Sequence, residues 1–188
     1  MKVLGISGSL RRDSYNSALL RAAAERLPAG VELVEYEGLR QIPPYDADLE
    51  ADGAPAAVEE LREAIRTADA VLIATPEYNQ SLPGQLKNAL DWVSRPAGKS
   101  ALMGKPAAAI GASTGMFGAV WAQAEARKVL AALGGRVVEH ELPIPRAQEH
   151  YADGRLELAP EQSQQLQEIL AELVAEVEEL AESVPAAA

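Results

Sequence analysis

Apolar positions recur along this chain in two alternating rhythms. Nearly unbroken apolar runs at residues 3–6, 70–75 and 106–111 read as strands buried on both faces. Residues 31–36, Val-Glu-Leu-Val-Glu-Tyr, alternate as a half-buried strand does. Between these runs, apolar residues fall at helical spacing. Residues 17–27 carry Leu19, Leu20, Ala23 and Leu27 and end at Pro28 and Gly30. Residues 56–67 follow, then 83–92 with Pro83 in the tolerated first turn, then 120–133 closed by Gly134 and Gly135. Residues 136–142 predict the last strand. From 160 to about 182, Leu166, Ile169, Leu170, Leu173, Val177 and Leu180 form one stripe along a helix. Residues 38–55 make a long connection rich in Pro, Asp and Gly. Wholly apolar strands alternating with amphipathic helices predict an α/β fold: a doubly wound, five-stranded parallel sheet of order 2-1-3-4-5, with helices on both faces. A single domain is expected over residues 1–183, with 184–188 as a disordered tail.

Composition narrows the chemistry. The 188 residues contain no Cys, which excludes disulfides and thiolate ligation of zinc or iron–sulfur clusters, and two His are too few for a histidine-rich metal site. With 28 Asp+Glu against 17 Lys+Arg, the net charge of −11 repels nucleic acid. No apolar run approaches the roughly 18–20 residues of a membrane span, and the opening residues lack a signal-peptide pattern. The expected location is the cytoplasm, with neither a nucleic-acid nor a membrane partner. His140 and His150 read as incidental and Tyr36 as a packing residue. Tyr45 reads as a packing residue too, although within the long connection it could approach a substrate.

In an open α/β sheet, ligands bind beyond the carboxyl ends of the strands, at the switch point between strands one and three. Three loops converge there. Residues 8–17, Gly-Ser-Leu-Arg-Arg-Asp-Ser-Tyr-Asn-Ser, run from strand into helix. They combine a helix N-terminus with the hydroxyls of Ser9, Ser14 and Ser17, the amide of Asn16 and the guanidinium of Arg11. A simple Ser cap accounts for part of this, but the full set suits a phosphate. The spacing is neither GxGxxG nor GxxxxGK[ST]. Residues 75–88 form a second loop stiffened by Pro76 and Pro83. Its backbone is suited equally to reading the edge of a flat heterocycle and to serving as a long turn. Residues 111–118 offer Ser113 and Thr114 among glycines. They match the G-x-S-x-G of hydrolase elbows, but the acids that precede His140 and His150, such as Glu125 and Glu139, fall in helix or strand, and Gly115 and Gly118 continue the loop where an elbow would start its helix.

Gly8-Ser9-Leu10-Arg11 with Ser14 and Asn16, then Pro76-Glu77-Tyr78-Asn79-Gln80-Ser81-Leu82-Pro83-Gly84 running into Leu86-Lys87-Asn88-Ala89-Leu90-Asp91-Trp92, resemble the NADPH-dependent FMN reductase family. That family includes bacterial chromate and quinone reductases and some azoreductases. The resemblance extends from Lys2 to the final helix; the second motif is the most specific and residues 113–118 the least. It implies a flavodoxin-like fold with FMN at the sheet edge. Ser9, Arg11, Ser14, Asn16 and Ser17 would hold the phosphate. Pro76, Glu77, Tyr78 and Asn79 would line the isoalloxazine, largely through backbone groups, and Ser113 and Gly115 would border its opposite side. The implied activity takes hydride from NADPH or NADH through FMN to a small-molecule acceptor: a quinone, free flavin, azo compound or metal oxyanion. No side chain is then required as nucleophile or base, so no catalytic residue is assigned. Arg12, Arg40 and Arg95 are candidates for favouring a 2′-phosphate. The resemblance also implies a homodimer or homotetramer, with an interface on the helices after Gly84 and Gly118 that bear Trp92, Phe117 and Trp121. The alternative is a flavodoxin-like electron-transfer protein without NAD(P)H turnover of its own, for which an acidic surface suits docking on a basic partner.

Overall fold

The computed structural model describes residues 1–183; the tail expected at 184–188 lies outside the described residues. Strand β1 (Lys2–Ser7) is followed by α1 (Tyr15–Ala24), β2 (Glu32–Glu35), a 3-10 turn (Gly38–Gln41), the short α2 (Ala47–Ala51) and α3 (Ala56–Thr67). Next come β3 (Ala70–Thr75), α4 (Gly84–Val93), β4 (Pro106–Ala112), α5 (Val120–Ala132), β5 (Arg136–Val137) and β6 (Pro143–Ile144). A second 3-10 turn (Ala147–Glu149), the β7–β8 hairpin (Tyr151–Ala152, Arg155–Leu156) and α6 (Pro160–Ser183) complete the described chain.

The main sheet has the expected order, β2-β1-β3-β4-β5, and every pairing in it is parallel. Alternation along the strands sorts side chains to two faces. Leu4, Ile6, Val71, Ile73, Ala107 and Ala109 pack under α3, α4 and α5. Val3, Ala70, Leu72, Ala74, Ala108 and Ile110 pack under α1 and α6. Each fully buried Leu or Ile in these layers contributes about 1.5–3 kcal/mol. The β4–α5 contact is built from small residues: Ala107, Ala109, Ala119, Ala122 and Ala126 are all fully buried. A Cβ placed on Gly111 would lie 2.8 Å from the Thr75 carbonyl oxygen and 3.0 Å from Ala119 Cβ, so helix, strand and neighbouring strand approach as closely as glycine permits.

Three expectations need correction. The strand predicted over 136–142 is two short pieces, β5 and β6, both paired to β4. Val138 N–H still donates to Ala107 and Leu142 N–H turns to the Gln123 side chain, so Glu139, His140 and Glu141 loop outward between them. The first helix begins at Tyr15 rather than Ser17 and ends at Ala24, before Leu27. Trp92 is wholly buried rather than an interface residue. Its Nε1–H donates to the Pro43 carbonyl at 2.9 Å, beside Asn88 Nδ2 donating to the same oxygen at 2.8 Å. Gln85 Nε2 donates to the carbonyls of Leu39 and Ile42, so α4 fastens the long connection through its polar side.

Candidate active site

The loops after β1, β3 and β4 open together at the carboxyl edge of the sheet. They enclose a cleft of about 230 Å³ lined by Ser9, Arg11, Tyr15, Asn16, Pro76, Glu77, Tyr78, Ala112, Ser113 and Thr114. The two inner strands ending here, β1 and β3, flank the topological switch point.

One end of the cleft is rich in donors. Ser14 adopts extended backbone geometry ahead of α1, and its Oγ accepts from the amides of Asn16 and Ser17 at 3.1 and 3.2 Å. Arg11 lies with its guanidinium carbon 4.3 Å from the centroid of the Tyr15 ring, and one Nη donates to the Asp13 carbonyl. Five N–H donors on a planar fork leave Arg11 edges free for an anion. Ser9 Oγ accepts from the Arg11 amide, bracing the loop on itself. Asn16 has another task. Its Oδ1 accepts from Ala112 N–H at 2.9 Å and its Nδ2 donates to Ala112 C=O at 3.0 Å, a two-point clamp between the first and third loops.

The other end has flat walls. Thr75 Oγ1 is fully buried and donates to the Pro76 carbonyl. Tyr78 and Ser81 exchange both backbone hydrogen bonds, with Asn79 and Gln80 at φ 53° and 61°, a two-residue turn of the primed kind. Glu77 Oε2 accepts from the amides of Trp121 and Ala122. Across the cleft, Ser113 N–H donates to Ile144 C=O, and Ser113 C=O accepts from Ala147 N–H, fixing the third loop to the segment after β6.

Of the residues named from sequence, Ser9, Arg11, Asn16, Pro76, Glu77, Tyr78 and Ser113 line this cleft. Ser14 sits beneath it as the helix cap. Ser17 faces a separate groove on the other side of the first loop, shared with Arg12 and Arg40. Asn79 and Gly115 are outside the lining set; Gly115 C=O instead accepts from Arg146 N–H. Thr114, named for its hydroxyl, lines the cleft as well, and so do Tyr15 and Ala112, which lie inside the first loop and at the root of the third and carried no signal of their own. Arg95 is paired to Glu50 at 2.8 Å, and Arg40 donates to the Leu10 carbonyl. Tyr45 packs edge-on against Trp92 and hydrogen-bonds Glu50, away from the cleft lining. His140 pairs with Glu172 on α6, and α5 does not begin until Val120, so Ser113 stands on no nucleophile elbow.

A doubly wound sheet with a donor-rich helix start at one end of its switch-point cleft and flat, peptide-edged walls at the other has a shape suited to a nucleotide-type cofactor of the flavodoxin-like class. Comparison with known proteins agrees. The family model described as NADPH-dependent FMN reductase matches residues 1–149, and the chain belongs to this family of oxidoreductases. It is 49% identical over 175 residues to an NAD(P)H-dependent FMN reductase of Pseudomonas aeruginosa, covering 89% of this chain and 94% of the relative. It is 42% identical over 139 residues to a quinone reductase of Escherichia coli, covering 73% of each. Among solved structures, FerB, a flavoenzyme NAD(P)H:(acceptor) oxidoreductase from Paracoccus denitrificans, superposes with a TM-score of 0.80 at 37% identity, covering 95% of this chain and 97% of that one. The family's cofactor, FMN, has a phosphate at one end and a flat ring with polar edges at the other. The donor set of the cleft suits both.

Proposed function

We propose that this protein is an FMN-dependent NAD(P)H:acceptor oxidoreductase whose acceptor is a quinone or free flavin. The observation that carries the reading is the cleft at the β1/β3 switch point, with Arg11 and Ser9 at one end and the Pro76–Tyr78 and Ala112–Thr114 walls at the other. The names of the relatives point to the same acceptors. Bound FMN supplies hydride transfer, from a reduced nicotinamide to an acceptor that follows it into the site. The chain contributes binding and orientation. Arg11 and Ser9 receive the phosphate, the peptide groups of residues 76–78 meet one ring edge, and Ser113 borders the opposite side. Ser14 and Asn16 act from beneath, one holding the helix start and the other tying the phosphate end to the ring end. No side chain of the cleft is required as nucleophile or base. Beside the cleft, Tyr78, Met116, Phe117 and Trp121 are exposed, and Phe117 and Trp121 stack edge to face with centroids 4.9 Å apart. A second copy of the chain covering this patch gives a homodimer, and the location is cytoplasmic.

Among the described residues no helix is long and apolar enough to cross a membrane. The test is an absorption spectrum of the purified protein with added FMN, before and after NADPH or NADH under nitrogen. Bound yellow flavin that bleaches on reduction and recovers with quinone is expected. A protein that takes up no FMN overturns the reading, and one that binds FMN but reduces it only through a partner protein is an electron carrier instead. Arg11→Ala should weaken FMN binding by about 1.5–3 kcal/mol, roughly ten- to hundredfold, as a charge-assisted hydrogen bond does. Unchanged affinity would remove Arg11 from the phosphate site.

A further inference from the structure

Helix α5 starts without a cap of its own. The residue before it, Ala119, has left-handed geometry (φ 64°) and no side-chain acceptor to offer the first-turn amides. Those amides are nevertheless satisfied. Glu77 reaches across from the loop after β3, 44 residues away, and its Oε2 accepts from Trp121 N–H at 3.0 Å and from Ala122 N–H at 3.3 Å. One turn further along α5, Glu125 extends the other way. Its Oε2 accepts from Ser81 Oγ at 2.5 Å and from Leu82 N–H at 3.3 Å. The tight Tyr78–Ser81 turn is therefore fastened to α5 on both sides, once by an acid of the loop and once by an acid of the helix.

We infer that Glu77 is a positioning residue: its carboxylate, bound to the N-terminus of α5, sets the peptide groups of residues 76–78 in the place where a flat cofactor ring meets them. The inference rests on the flavin reading given above. It changes what Glu77 does, from a residue grouped with the ring-lining set to one whose side chain points at a helix. The arrangement also has an electrostatic logic. A carboxylate beside a ring that gains negative charge on reduction would oppose that reduction, whereas one placed on the positive end of a helix is locally compensated. α5 supplies the donors that make an acid tolerable at this position. Glu125 holds the far side of the same turn, so residues 76–82 are fixed at two points before any ligand arrives.

Three variants separate reach from charge. Glu77→Gln keeps an acceptor oxygen at the same distance without the charge. Glu77→Asp keeps the charge but is one methylene too short. Glu77→Ala removes both. Amide exchange at Trp121 and Ala122, read by mass spectrometry or NMR on the flavin-free full chain, reports the cap directly. Fluorescence titration with FMN reports the consequence for the cleft.

The expected pattern is exchange at the two amides at least roughly tenfold faster in Glu77→Ala and Glu77→Asp. FMN binding should weaken in parallel by roughly tenfold, with Glu77→Gln within a few-fold of the parent in both readouts. Should Glu77→Ala not fold, the Gln-against-Asp contrast decides alone. Faster exchange with unchanged FMN affinity overturns the positioning role, and so does rescue by Asp but not by Gln. A parent protein that binds no FMN overturns the inference together with the flavin reading. That outcome is recognisable because it appears before any substitution is made, while the exchange measurements still report whether Glu77 caps α5.

Discussion

Asn16→Ala is the most informative single substitution in the cleft's foundations. Asn16 is 2% exposed and Ala112 1%, so neither partner has water to fall back on. The substitution removes two hydrogen bonds of 2.9 and 3.0 Å and leaves the N–H and C=O of Ala112 without the Asn side chain. Each buried backbone group left unmade costs about 1–3 kcal/mol, part of which is offset because the buried Asn amide itself no longer has to be desolvated. The net loss is about 2–4 kcal/mol. For a chain of this size each kcal/mol lowers Tm by roughly 2–4 °C, so a fall of about 4–16 °C is expected in a thermal melt, with a matching shift of the urea midpoint at unchanged m-value. Asn16→Asp sharpens the test. It retains an acceptor for Ala112 N–H but turns a second oxygen towards Ala112 C=O, so it should destabilise at neutral pH and recover partly as the carboxyl protonates. A loss below about 0.5 kcal/mol for Asn16→Ala would mean that the clamp is replaced by other partners and that the two loops are joined elsewhere.

Two other perturbations bear on the frame around the cleft. Glu50 has its carboxyl held below the ordinary carboxylate value of 4.5, first because Arg95 Nε donates to both oxygens and next because Tyr45 O–H adds a third bond. A lowered value means that the stabilisation is complete above about pH 4.5 and is lost as pH falls through the lower folded value. Fluorescence of Trp92, which Tyr45 touches edge-on, should therefore show a transition in that acid window that Glu50→Gln lacks. A transition that persists in Glu50→Gln would assign it to another group. Gly118→Ala should cost about 2 kcal/mol or more. Its φ of 60° alone costs a non-glycine residue roughly 1–2 kcal/mol, and the new Cβ would stand 2.6 Å from the Ile144 amide nitrogen, a backbone atom that cannot rotate away. A urea midpoint equal to the parent's would show that the 118–119 turn relaxes freely.

Periodicity reached the sheet because it records burial on both faces. The bounds of α3 and β3 follow directly from where apolar spacing stops, and the strand order follows from alternation of strand and helix. It failed at 136–142, where Val137, Val138 and Leu142 flank Glu139, His140 and Glu141. All the ingredients of a strand are present there, but β4 continues its pairing with residues 143–144, and the intervening acids loop out. The β7–β8 hairpin has a local signal in the sequence: Asp153-Gly154, both at positive φ, is the usual two-residue turn between short strands. In the cleft, the three loops were legible because glycine, proline and hydroxyl residues cluster at strand ends. The division of labour within them was not. Whether Asn16 faces a phosphate or Ala112, and whether Glu77 faces a ring or a helix, depends on partners 96 and 44 residues away, which no local pattern encodes.

The alanine contact between β4 and α5 has a mechanical meaning. A joint filled with long side chains can slide by switching rotamers, but methyl groups packed on backbone have no rotamers to switch, so strand and helix must travel as one piece. Residues 76–82 hang from that piece through Glu77 and Glu125, and the loop end at Gly118 hangs from it through Gln123, whose Nε2 donates to the Gly118 carbonyl. The two walls that face each other across the cleft are thus geared to a single axle. A bulky acceptor cannot spread them one at a time; it must tilt all of α5 or find its clearance on the opposite bank, where Leu10 to Asp13 are exposed to solvent.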